Sequence, residues 1–203
     1  MIGMKNKKGL LISATAFLLL GVGLFTNNLV EAKKEPSVIS YDAIVIKFED
    51  LKDLAKEAPI IVQATFTGER ETILGDLTKG ELFRSDSVVE IKKVIKGDLK
   101  KDQKIIVYEP AILKDDETYI TIEGYNLMNE EGKYTLFLTP AKGMDGYALM
   151  GVYQGKYDNN IKKEAKKAKQ SSDYEDLKDT DFFGEEAKHY NKLKEDVLKK
   201  YKW

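Results

Sequence analysis

Seven of the eleven tyrosines, Tyr108, Tyr119, Tyr125, Tyr134, Tyr147, Tyr153 and Tyr157, fall in one central stretch of the chain. Rings spaced along strands can stack on sugars or bases, although tyrosine also suits any half-buried pleated surface. Tyr108, Tyr119 and Tyr125 are the candidate ligand-binding residues. Acid–base chemistry has thinner material. Glu109 and Glu123 lie on adjacent expected strands, where they are the carboxylate pair a glycosidase would need. His189 is the only histidine; it stands beside the apolar stripe of the last helix with no serine or cysteine to activate, which points to a structural or solvent-facing role. No catalytic set, cofactor motif or metal set is expected. Zinc would require several His or Cys ligands, and the acidic run Asp173, Glu175, Asp176, Asp179 and Asp181 lacks the glycine and closing glutamate of a calcium loop. That run reads as a solvated acidic helix face.

The elements that must position these residues begin after an address. Lys5, Lys7 and Lys8 precede an apolar run from Gly9 to Phe25, and Val30-Glu31-Ala32 follows as a small-residue exit. This is the layout of an export signal, with cleavage expected after Ala32. At 17 residues the run is also close to the length that crosses a bilayer. If uncleaved, residues 9–25 are the chain's one membrane contact, with the lysines held inside. Either way the folded part is expected outside the cytoplasmic membrane, secreted or on its extracellular face.

Composition narrows the function classes. Without residues 1–32 the chain keeps 30 basic and 33 acidic residues. That balance excludes a general nucleic-acid binder, whose phosphate contacts demand a basic excess. There is no cysteine, so neither a disulfide scaffold nor a thiol-anchored lipoprotein is available, and stability must come from packing. Export without cysteine fits a bacterial protein.

The organisation expected is a leader or anchor over 1–32 and a tether, strand and short helix over 33–59. A β-barrel domain over 60–155 follows, then a charged linker with an amphipathic helix over 156–203. Val38–Phe48 is apolar enough for a strand. Leu51, Leu54, Ala55 and Ala58 have helical spacing, and Pro59 ends that helix. From Ile60 the period becomes two, with Ile60, Val62, Ala64 and Phe66 on one face and Ile61, Gln63, Thr65 and Thr67 on a solvated one. A second strand, Phe83–Ile95, loses phase at Lys92 and Lys93, as a β-bulge would cause. Lys104–Glu109 and Tyr119–Glu123 are further strands. Lys133–Thr139 and Tyr147–Gln154 form a hairpin whose turn takes its positive φ from Asp145-Gly146. The lysine-rich stretch Ile161–Lys169 reads as a solvated linker helix, and Ser172 and Glu175 are spaced as a capping box. The last helix starts near Gly184 and places Ala187, Tyr190, Leu193, Val197, Leu198 and Tyr201 on one stripe.

Three segments carry a resemblance: Ser87-Val-Val-Glu-Ile-Lys-Lys-Val-Ile-Lys-Gly97, Lys104-Ile-Ile-Val-Tyr108 and Gly132-Lys-Tyr-Thr-Leu-Phe-Leu138. They look like a pattern of exported bacterial domains of unknown function, and that pattern resembles the OB-like barrel of tissue inhibitors of metalloproteinases and netrin-type modules. The resemblance covers about Ile60 to Gly155. It implies a five-stranded, partly open barrel without enzyme activity. Those inhibitors act through an N-terminal cysteine that this chain lacks, so the resemblance extends to fold and not to inhibition.

The fold expected is therefore mainly β within an α+β chain: a small antiparallel OB-like barrel with a short N-terminal helix and C-terminal helices. The function expected is an exported, non-enzymatic binding module with a protein or polysaccharide partner and no nucleic acid. The alternatives are a hydrolase of extracellular or wall polysaccharide using barrel carboxylates, and an inhibitor or structural protein acting through the C-terminal helix.

Overall fold

The computed structural model describes residues 37–75, 83–114, 118–168 and 174–203. In chain order the elements are β1 (Ser37–Tyr41), α1 (Leu51–Glu57), β2 (Ile60–Ile73), β3 (Arg84–Lys96), β4 (Lys104–Glu109), β5 (Ala111–Lys114) and β6 (Thr118–Ile122). They are followed by β7 (Tyr134–Pro140), β8 (Tyr147–Leu149), a 3-10 turn (Val152–Gly155), β9 (Lys156–Asp158), α2 (Tyr174–Leu177) and α3 (Ala187–Lys200). The expected cleavage point at Ala32, the apolar run 9–25, and Ser172 and Asp173 lie outside the described residues.

The chain is mainly β, and its centre is a closed five-stranded barrel in the order β2-β3-β4-β8-β7, with β7 returning to β2. Closure rests on the first residues of β2, which pair antiparallel on both edges: Ile61 faces Lys96 of β3 and Phe137 of β7. The barrel is therefore closed rather than partly open. All contacts are antiparallel except β4 with β8, where Val107 faces Tyr147 in parallel, an arrangement compatible with an OB-like barrel. The phase slip in β3 is a bulge: Gln63 faces Lys93 while Ala64 faces Ile91, leaving Lys92 as the extra residue. A separate three-stranded sheet, β1-β6-β5, takes β6 out of the barrel.

Inside the barrel, Ile60, Val62, Ala64 and Phe66 of β2 meet Val89, Ile91, Val107, Leu136 and Leu138 in one core. The other face of β2 is not solvated as its alternation suggests. Ile61 and Gln63 are buried, because α3 packs on the outside of the barrel and the carbonyls just past its C-terminus, at Tyr201 and Lys202, accept from the Gln63 side-chain amide at 3.0 and 3.2 Å. A second core forms there from Leu54, Phe137, Tyr157, Phe182, Tyr190, Leu193 and Val197.

The C-terminal segment is pinned to the barrel by backbone and by charge. Phe183 N–H donates to the Gly124 carbonyl at 2.9 Å. Gly184 packs so closely that a Cβ there would collide with the Glu123 carbonyl and stand 2.5 Å from the Phe182 ring. Asp181 is buried, not solvated: Lys156 Nζ bonds it at 2.8 Å and Lys194 Nζ lies 3.2 Å away. Asp158 N–H donates to its second oxygen at 2.6 Å. Burial acts to raise the Asp181 pKa, but the two ammonium groups outweigh it and hold the carboxyl below the usual carboxylate range.

Other elements depart from the sequence reading. The strand expected over Val38–Phe48 stops at Tyr41. No helix forms over residues 161–168, where like-charged lysines oppose one. In the hairpin β7–β8 the positive φ belongs to Gly143 (77°), and Gly146 instead allows the close approach of the Tyr108 ring, 2.6 Å from where a Cβ would stand. Among the described residues no helix is long and apolar enough to cross a membrane.

Candidate functional site

The site begins with a break in β2. Phe66 faces Val89 and Arg70 faces Ser87, so Thr67-Gly68-Glu69 bulge out, with Gly68 at φ 86°. The bulge turns Arg70 across the end of the barrel. Its Nε donates to Ser87 Oγ at 2.9 Å, and its Nη2 donates to Glu109 Oε1 at 2.9 Å and to the Met128 carbonyl at 2.6 Å. The guanidinium also lies over the Phe66 ring, 4.3 Å from its centroid.

Glu109, at the end of β4, is fully buried. Besides Arg70, its Oε1 accepts from Ser87 Oγ at 2.5 Å; its Oε2 accepts from Tyr125 Oη at 2.6 Å and Met128 N–H at 2.8 Å. Four hydrogen bonds, one of them from the Arg70 cation, leave the carboxylate without a free lone pair for a substrate.

Above this pair lies a cleft of about 700 Å³, within the range of small-ligand sites. Tyr174 is its half-buried aromatic wall over the buried rings of Phe66 and Tyr119, Arg70 and Lys178 bring positive charge to it, and Asn129, Glu130, Glu131 and Asp179 are part of its polar rim. Tyr119 and Tyr174 stack with centroids 4.3 Å apart. Tyr119 Oη donates to Asn126 Oδ1 at 2.9 Å and accepts from Leu127 N–H at 2.8 Å. It thereby fixes the loop that delivers both Met128 backbone groups to the ion pair.

The three candidate tyrosines do not form one stacking surface. Tyr119 and Tyr125 are buried, since each hydroxyl finds an internal partner and the ring goes into the core with it. Burial raises both phenol pKa values well above normal, and for Tyr125 the charge of Glu109 adds to it. Tyr108 is half-buried away from the cleft and carries the Arg84 guanidinium over its ring at 4.9 Å. Glu109 and Glu123 are engaged separately: Glu123, at φ 58°, accepts from Ala43 N–H at 2.5 Å. His189 has both ring nitrogens buried without a hydrogen-bond partner among the described residues. Among those residues no three His, Cys, Asp or Glu side chains converge as a metal set.

Arg70, Ser87 and Met128 escaped the sequence reading, yet one signal was available. Only two arginines, Arg70 and Arg84, stand among 33 basic residues. A chain that uses lysine nearly everywhere keeps arginine where a planar fork is required, and both lie over aromatic rings with carboxylate partners. No family model, no curated protein and no solved structure matches the chain.

Proposed function

We propose that the chain is an exported, non-enzymatic binding module, built on an OB-like barrel, that holds a short stretch of a polysaccharide or protein partner in the cleft over Arg70. The observation that carries this reading is the cleft itself: Tyr174 stacked on the buried Tyr119 and a charged, polar rim, over an ion pair whose hydrogen bonds are satisfied internally. The ion pair beneath it spends its carboxylate internally, so Glu109 is not available as an acid or base; the other carboxylates of the cleft, Glu130, Glu131 and Asp179, lie at exposed positions of its rim. The saturation of Glu109 favours binding over polysaccharide hydrolysis. The burial of the α3 stripe against the barrel disfavours a docking role for that helix. Export, to the medium or the outer face of the cytoplasmic membrane, is supported by Lys5, Lys7 and Lys8 ahead of the apolar run 9–25.

Residues 34–203 form one compact unit and suit glycan and peptide arrays. The unaltered protein should retain a defined ligand class that Asn129→Trp, which fills the cleft, abolishes, while Gln103→Trp on the β3–β4 connection leaves it intact. Equal retention by the Asn129→Trp protein would reject the cleft as the site.

A further inference from the structure

The segment between β1 and α1 exposes an unusual amount of apolar surface. Ile44 is fully exposed and Ile46 is 72% exposed, and Tyr41 and Leu74 are more than half exposed. Tyr41, Ala43 and Leu74 line one shallow apolar groove of about 420 Å³ with Ile120 and Ile122 beneath. Ile39 points to the same side of β1 as Tyr41, two residues along.

This exposure is held in place. Ala43 N–H donates to Glu123 Oε1 at 2.5 Å, the Ile46 carbonyl accepts from Gln154 Nε2 at 2.8 Å, and Phe48 N–H donates to Gln154 Oε1 at 2.8 Å. Val45 and Phe48 turn inward onto the second core, so the alternating Ile44 and Ile46 are turned outward by a backbone anchored at three points. Gln154 is buried; its amide oxygen accepts from this segment, and its nitrogen donates both to it and to the Gly151 carbonyl at 3.2 Å. Fixed, exposed isoleucines on a soluble surface call for a partner.

We propose that this face, Ile39, Tyr41, Ile44, Ile46 and Leu74, lies on a lipid bilayer to which the chain is tethered by residues 9–25. The occupant follows from the chain that precedes β1. The apolar run ends at Phe25, and the eleven residues 26–36 that separate it from β1 could reach at most about 40 Å at full extension, so β1 is the element by which the chain enters the folded unit from the tether. A tyrosine among isoleucines matches the side-chain mix of a membrane interface. The inference rests on export with retention of residues 9–25, and it is independent of the cleft.

The absence of cysteine makes the test direct. Full-length Ile44→Cys, Ile46→Cys, Leu74→Cys and Lys101→Cys proteins, each carrying one environment-sensitive fluorophore, are reconstituted into vesicles of phosphatidylcholine and phosphatidylglycerol with brominated acyl chains. All four sites are exposed, so folding is spared. Lys101 lies beyond the opposite end of β3 from Leu74 and serves as the remote position. Quenching should be several-fold stronger at 44, 46 and 74 than at 101. Equal quenching at all four, in protein that floats with the vesicles, overturns the proposal and leaves the tether standing. Failure to float overturns both, while ligand retention by the cleft is unaffected. Excimer emission from pyrene at Ile44→Cys would assign the face to a second copy and overturn it as well.

Discussion

Arg70 Nη2 lies 2.9 Å from Glu109 Oε1, joining the middle of β2 to the end of β4 beneath the cleft; the carboxylate is sealed from solvent and the guanidinium only partly so. An ion pair of this kind adds little net stability over an apolar replacement, but removing one member strands the other. Arg70→Met should therefore cost about 3–5 kcal/mol in urea unfolding. Adding Glu109→Gln should recover part of that loss, since the stranded charge is gone. Full additivity of the two substitutions would show that the pair is not coupled.

Asp181 gives the fold an acid limit. Its carboxyl titrates below the usual range because Lys156 and Lys194 outweigh its burial. The unfolded chain then binds the proton more readily, so this contribution is complete above about pH 5 and fades as pH falls below about 4. Asp181→Asn should lower stability at neutral pH by about 3–5 kcal/mol and flatten the acid limb of the stability curve. An unchanged slope below pH 4 would count against the assignment.

Tyr119, Tyr125, Tyr157 and Tyr190 bound the alkaline side. Burial raises all four phenols well above their ordinary value. Because the folded values are the higher ones, the stability they bring is complete below about pH 10 and is lost as pH rises above it. Titration of tyrosinate absorbance should show a normal class followed by a cooperative step that coincides with loss of β-sheet circular dichroism. A single normal class in the folded protein would contradict their burial.

Gly184 is required for space and Gly143 is not. A methyl at Gly184 meets Glu123 backbone and the Phe182 ring, whereas nothing lies within 4 Å of one at Gly143. Gly184→Ala should cost about 1–3 kcal/mol or more through overpacking. Gly143→Ala carries only the left-handed backbone penalty of about 1–2 kcal/mol. Thermal unfolding of both variants ranks them; the reverse order would show that the C-terminal segment is not clamped at Gly124.

Gln154 is the support of the Ile44–Ile46 display. Gln154→Leu removes partners from the Ile46 carbonyl and the buried Phe48 N–H, at about 1–3 kcal/mol for a buried group left unpaired. Hydrogen exchange should accelerate most at Phe48. Uniform acceleration across the barrel would instead indicate global destabilisation.

Local rules made the barrel strands legible. The period-two run in Ile60–Phe66, the slip at Lys92 and the stripe from Ala187 to Val197 are each written in consecutive side chains, because pleat and helical turn impose their period on neighbours. Absence of cysteine and balanced charge likewise bounded chemistry without any coordinates. The tertiary structure alone decided whether the alternation of β2 faced water: Gln63 looks solvent-facing until the carbonyls just past the C-terminus of α3 are laid over it. It also moved Asp181 from a solvated acidic run to the centre of a buried charge cluster, because Lys156 and Lys194 arrive from 25 and 13 residues away. The cleft was illegible for the same reason. Arg70, Ser87, Glu109 and Met128 come from separate segments, and which buried donor meets which acceptor is fixed by closure of the barrel and not by any pattern along the chain.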